Sequence, residues 1–404
     1  MPEAPANPAT GSTAEAAATA ANGRRDKLWK GVAPLVLLAV LVVTFLRVGP
    51  VGVFRQNFPP VEELVIERIT MPRDGELRVR VVNGGPEPVT VAQTMVDDAI
   101  WTHTIDGDAI IGRLERRTIT IPYPWVQGEP HVVGIVTSTG LTFTGTVEVA
   151  TRTPTPDARY LATFAMLGIY VGVIPVFLGL LWLPFLRAID QRWINFFLSL
   201  TVGLLIFLGV DALAEAFENA AALAGAFQGP GLVLLGFLGT PLAIGMASHR
   251  RDAQPSPLAV SALIAIAIGL HNLGEGLAIG TAYATGSIAL GTFLVLGFLI
   301  HNTTEGLGIV APLARQQPKL GQLAMLGATA GMPTILGTWI GGFTHSPLWS
   351  TLFFAVGAGA VAQVVWVMWK HFAARAGGLG APLNAAGLLL GLLIMYLTGL
   401  LVAA

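Results

Sequence analysis

The chain has 404 residues, 53% of them hydrophobic and 12% charged, with 48 glycines, no cysteine and a formal net charge of −1. This composition belongs to polytopic membrane proteins and excludes disulfide staples and cysteine-based metal sites. The charge balance selects no partner class, the redox compartment stays undetermined, and the glycine content fits closely packed helices.

Residues 1–27 are rich in Ala, Thr, Pro and Asn without periodicity and read as a disordered cytoplasmic tail. Arg24, Arg25, Lys27 and Lys30 then flank an apolar run that ends near Leu46. A basic stretch followed by an apolar one is also the pattern of a signal peptide, but about nineteen apolar residues is long for that purpose. Arg47 and Phe54-Arg55 follow where a cleavage site would carry small residues. An uncleaved transmembrane anchor over 28–49 is the favoured reading.

Residues 50–152 change character. Short β-rich runs at Glu76 to Val82, Arg117 to Ile121, His131 to Val136 and Leu141 to Val149 are separated by turn signals. Those signals are Asn83-Gly84-Gly85-Pro86, Asp106-Gly107 and Gln127-Gly128-Glu129-Pro130. This spacing predicts a small β-sandwich. Asp97, Asp98, His103 and His131 are candidates there for capturing metal, against the simpler view that a sandwich has polar loops anyway. Thr153-Pro154-Thr155-Pro156 reads as a stiff linker.

Residues 153–404 hold eight further apolar segments, approximately 158–186, 193–219, 230–247, 257–283, 287–313, 320–343, 347–369 and 382–402. Arg187, Arg192, Arg250, Arg251, Arg315, Lys319, Lys370 and Arg375 fall in alternate loops, on the side of the N-terminal basic cluster. The opposite short loops, 225–228, 284–286 and 344–346, contain neither Lys nor Arg. By the positive-inside rule the N-terminus is cytoplasmic, and the β-domain and C-terminus lie outside the cytoplasm. With the anchor, the count is nine helices in the cell (inner) membrane.

Two of these segments carry the chemistry. His271-Asn272-Leu273-Gly274-Glu275-Gly276 and His301-Asn302-Thr303-Thr304-Glu305-Gly306 repeat one H-N-x-x-E-G pattern thirty residues apart. A carboxylate inside a spanning helix is costly and marks function by default. His and Glu four residues apart share a helix face. Two such faces opposed supply two imidazoles and two carboxylates, a set suited to zinc or a similar first-row metal. If the chain turns near Gly286, both histidines sit about 22 Å from the turn, near mid-membrane. Because the helices are antiparallel, Glu275 then lies one turn toward the loop and Glu305 one turn away from it, as where inverted repeats meet.

Other readings remain open. The four residues could form a polar cluster that only locks helices together, although two facing carboxylates without a cation repel each other. An intramembrane zinc protease is disfavoured because the chain has no H-E-x-x-H. Asp211, Glu215 and Glu218 share one face of the second span, as an acidic entrance for cations or simply a solvated helix end. Gln363 in the seventh span either lines the path or bonds a neighbouring helix. His249 is a loop residue that could also hold exiting metal.

The doubled motif and the topology resemble the ZIP family of divalent-metal transporters. The resemblance covers the eight segments from Ala158 onward and rests on His271, Asn272, Glu275, Gly276, His301, Asn302, Glu305 and Gly306. It implies an eight-helix core with an inverted-repeat arrangement, preceded here by the anchor and the β-domain, that moves metal inward and is not an enzyme. It also implies that Asn272 and Asn302 are weaker oxygen ligands or partners of the ligands. The chain departs from the family pattern at Gly274 and Thr304, where members often have proline. Met332 stands where a bridging Glu is common, and the seventh span lacks acidic residues. One firmly bound ion is therefore expected, with Met332→Glu predicted to create a second site. The ion is cargo rather than cofactor. The expected partners are divalent metal ions, the lipid bilayer and a second copy in a homodimer, with no nucleic acid. The alternative function is a membrane metal sensor that signals through the β-domain.

Overall fold

The computed structural model describes residues 61–248, 256–344, 346–373 and 378–403, together with Trp29, residues 32–45 and Arg47. The chain divides into two compact units, Met1–Pro60 and Val61–Ala404. In the first, the described residues Val32–Phe45 form an apolar helix. The expected tail and the flanks of the expected anchor lie outside the described residues.

The second unit begins with nine strands: β1 (Leu64–Arg73), β2 (Glu76–Asn83), β3 (Val89–Val96), β4 (Ala99–Trp101), β5 (Thr104–Ile105), β6 (Ile110–Ile111), β7 (Arg116–Ile121), β8 (His131–Thr137) and β9 (Thr142–Val147). They form two sheets, ordered β1-β2-β7-β5 and β4-β3-β8-β9, with β6 beside β3. Alternation explains the layering, because successive strand residues face opposite ways. In β2, Leu77, Val79 and Val81 are buried while Arg78 and Arg80 are exposed. From the other sheet Val91, Val96, Val133 and Ile135 join the same buried core. Gly107 and Gly128 take positive φ at two of the predicted turn signals, a conformation that glycine adopts without strain.

Asn83 fastens the turn after β2. Its fully buried amide donates to the carbonyls of Glu87 (2.7 Å) and Ile111 (2.8 Å), and its oxygen accepts from the Gly85 N–H (2.9 Å). Asn83→Ala leaves the buried Ile111 carbonyl and Gly85 N–H without this partner and should cost the β-domain about 2–4 kcal/mol. Faster amide exchange along β2 and β3 in the variant is the expected readout, and unchanged protection would show that the turn holds without it.

Eight helices that follow are long and apolar enough to cross a membrane. They are span 1 (Ala158–Ala188), span 2 (Gln191–Ala221), span 3 (Gly225–Met246), span 4 (Pro257–Ala284), span 5 (Ile288–Leu313), span 6 (Leu320–Phe343), span 7 (Pro347–Lys370) and span 8 (Pro382–Leu400). Their starts follow from capping and proline placement. The Asp157 carboxylate accepts from the Tyr160 N–H ahead of span 1 and the Ser256 hydroxyl from the Ala259 N–H ahead of span 4. Prolines open spans 4, 7 and 8, where a missing N–H costs nothing.

Spans 1 and 6 are not continuous α-helices. Span 1 passes through a π-helical turn at Ile169–Val173, followed by Pro175. Span 6 breaks between Gly331 and Pro333. In both, proline removes an N–H from the helical ladder and leaves a carbonyl one turn earlier without its usual partner.

The β-domain rests on the Lys/Arg-free ends of the bundle. The Glu63 carboxylate accepts from the Gly225 N–H (2.6 Å), and Arg68 donates to the Phe343 carbonyl (2.8 Å). Arg116 lies 5.7 Å from the centre of the Phe227 ring. Gly286, with φ of +80°, packs so closely that a Cβ there would sit 2.8 Å from the Val149 carbonyl oxygen. At the opposite end, Arg187 donates to the Gln316 carbonyl (2.7 Å) and Arg315 to that of Ile189 (2.9 Å). His249, Arg250, Arg251 and Arg375 fall outside the described residues.

Candidate metal centre

Spans 4 and 5 form an antiparallel hairpin turning at Thr285–Ser287, and the two histidine rings face each other with centroids 6.3 Å apart. Glu275 lies between them. Its Oε1 is 3.3 Å from the His271 Nε2 and hydrogen-bonds the His301 Nε2. The ligand atoms of His271, Glu275 and His301 all lie within 4.8 Å of one another, and the three residues are at most 5% exposed. Among the described residues this is the only group of three or more His, Cys, Asp or Glu side chains with that geometry.

Glu305 does not join that trio. It is 2% exposed, and neither carboxylate oxygen meets a hydrogen-bond donor. The Asn272 amide lies beside it but stops short of hydrogen-bond geometry. The carboxylate borders a small cavity of about 10 Å³ between Thr201, Leu204, Leu205, Leu208, Ile268, Gly308 and Met395.

The remaining letters of the repeated motif have a packing explanation that sequence reading did not supply. The Asn302 amide donates both to the Glu275 Oε2 (2.9 Å) and to the Val171 carbonyl (3.0 Å). Val171 lies in the π-helical turn just before Pro175, where the regular α-helical ladder of span 1 is interrupted. The Asn272 amide likewise donates to the Ala330 carbonyl (3.1 Å), beside the break at Pro333. Each asparagine thus ties the site helix to a broken neighbour, and each Oδ1 is buried with no hydrogen-bond partner in the protein. The motif glycines admit those same neighbours. A Cβ on Gly276 would lie 3.0 Å from the Gly337 Cα of span 6, and one on Gly306 would lie 2.8 Å from the Gly179 Cα of span 1.

Asp211 and Glu218 are exposed and Glu215 is half-buried, on the last turns of span 2 toward the β-domain. Glu215 interacts electrostatically with Glu218, Asp211 and His271, and Asp211 with His301. The acidic face therefore lies within electrostatic reach of the buried trio. Gln363 is half-buried in span 7. Met332 is not at the site. It is 54% exposed on the outer surface at the break of span 6, because Gly331 and Thr334 take the inward positions of that turn.

In the β-domain, Asp97 and His131 pair with each other rather than assemble a cluster. The Asp97 Oδ2 is 2.8 Å from the His131 Nδ1 and accepts from the Tyr123 hydroxyl (3.0 Å), while its Oδ1 accepts from the Val132 N–H (2.9 Å). Burial pushes the Asp97 carboxyl up, but these three partners outweigh it and hold the group below its ordinary value. His103 contacts Thr94 (3.3 Å), and Asp98 is exposed.

Comparison with protein-family models and with curated proteins finds no match for this chain.

Proposed function

We propose that the protein carries divalent transition-metal ions, zinc foremost, across the membrane toward the side of the basic loops, as a transporter similar to the ZIP family. The observation that carries this reading is the convergence of His271, Glu275 and His301, buried between two antiparallel spans. Two imidazoles and a carboxylate suit zinc. Isolated ionisable groups are expensive in hydrocarbon, and a bound cation offsets that cost. Glu305, one turn farther from the β-domain, supplies a second negative charge that brings a divalent ion near neutrality. The acidic face of Asp211, Glu215 and Glu218 attracts cations on the β-domain side. The basic loops at the other end support reading that end as cytoplasmic. Uptake of labelled zinc into proteoliposomes tests the proposal, and rates no higher than in protein-free vesicles would sink it.

One tightly held ion per chain is the expected stoichiometry. Met332→Glu should leave the bound zinc, counted by elemental analysis of purified protein, at the wild-type value, since an exposed side chain at that turn cannot reach the trio. This reverses the expectation drawn from the sequence. A second zinc in the variant would show that span 6 rotates during the cycle.

A further inference from the structure

The outer face of sheet β1-β2-β7-β5 carries positive charge that protein carboxylates do not balance. Arg68 on β1 and Arg80 on β2 stand directly opposite each other in the antiparallel ladder. Like charges so placed are destabilising. Three nearby acids are engaged by other arginines: Glu67 pairs with Arg116, Glu115 with Arg117, and Glu76 with Arg73 and Arg78. Among the described residues no carboxylate forms an ion pair with Arg68 or Arg80. Burial and the neighbouring Arg80 charge both lower the Arg68 pKa from its ordinary value. Beside Arg80 opens a groove of about 490 Å³ that Arg116, Arg117, Thr118 and Asp106 also line. The Arg117 Nε is buried with no hydrogen-bond partner.

The position of this groove indicates what fills it. Arg68 reaches the last turn of span 6, and Arg116 lies over Phe227 between spans 2 and 3. The arginines therefore stand where apolar helices end, which is the depth of lipid headgroups. We propose that the groove binds the phosphodiester of an anionic phospholipid, with the Arg80 guanidinium holding the phosphate and Arg116 and Arg117 lining the groove beside it. Planar guanidinium forks match phosphate oxygens and supply charge-assisted hydrogen bonds. Asp106 on the lining disfavours a free phosphate dianion but accepts from a hydroxyl of a glycerol headgroup. The β-domain is then seated on lipid as well as on the helix ends.

Native mass spectrometry of the full-length protein in detergent, with added phosphatidylglycerol, phosphatidylcholine or inorganic phosphate, tests the assignment. Phosphatidylglycerol should stay bound to the wild type in preference to phosphatidylcholine. Arg80→Gln should weaken its retention about tenfold, the loss expected for one charge-assisted contact. Arg80 is exposed and holds no ion pair, so this variant keeps the fold. Arg80→Lys, which preserves charge but not the fork, should show an intermediate loss, and the exposed Arg113→Gln none. Equal retention by Arg80→Gln and wild type would overturn the site. Equal retention of phosphatidylcholine would overturn the preference for an anionic lipid, and displacement by millimolar inorganic phosphate would assign the groove to the free ion instead.

Discussion

Glu275→Ala is expected to abolish zinc uptake in proteoliposomes while the protein still inserts and folds. Glu275 is the one carboxylate shared by both histidines, and its second oxygen also accepts from Asn302. If the loss of this shared carboxylate costs zinc binding about 3–5 kcal/mol, as breaking a buried ion pair does, affinity falls roughly 10²- to 4 × 10³-fold. Glu305→Ala should also stop transport but weaken binding less, because Glu305 stands apart from the trio. Calorimetric titration beside the uptake assay separates the two effects. Wild-type uptake by the Glu275 variant would remove it from the ligand set.

The second large effect is expected at Gly306, where nothing is charged. Spans 1 and 5 approach here through glycines on both sides, Gly306 and Gly179. Valine would drive its side chain against the backbone of Val176 and Gly179, neither of which can move without displacing span 1. Overpacking of this kind costs about 1–3 kcal/mol and more where backbone is the obstacle. Because span 1 also receives the Asn302 amide, Gly306→Val should both lower the thermal midpoint in detergent and disturb the zinc site. Gly306→Ala, with a smaller group at the same clash, should do each to a lesser degree. A valine variant with wild-type melting and zinc affinity would mean that the two spans separate without cost.

The sequence was most legible where the physical signal is local. Apolar runs opened by Pro257, Pro347 and Pro382 announce spans, and the alternation in β2 announces a half-buried strand. Strand β1 was harder to read, because Leu64–Arg73 interleaves Glu67, Arg68 and Arg73 with residues that are mostly only half-buried. His271, Glu275 and His301 could be brought together on paper because spacing and one turn fix their depth. The work of Asn272 and Asn302 could not, since it depends on carbonyls beside the breaks of other spans, Ala330 in span 6 and Val171 in span 1. The outward placing of Met332 is likewise not legible from spacing, because it sits at the break between Gly331 and Pro333 in span 6.

Strand β1 also has a mechanical consequence. Glu63, at its start, grips the loop between spans 2 and 3, and Arg68, roughly 17 Å farther along an extended chain, grips the end of span 6. A hydrogen bond stretched by about 1 Å is no longer one. Sliding span 6 by one helical turn, about 5.4 Å, relative to spans 2 and 3 would therefore tear one grip loose or tilt the whole β-domain. The strand is a ruler laid across the bundle, and its two end contacts report any relative displacement beneath them.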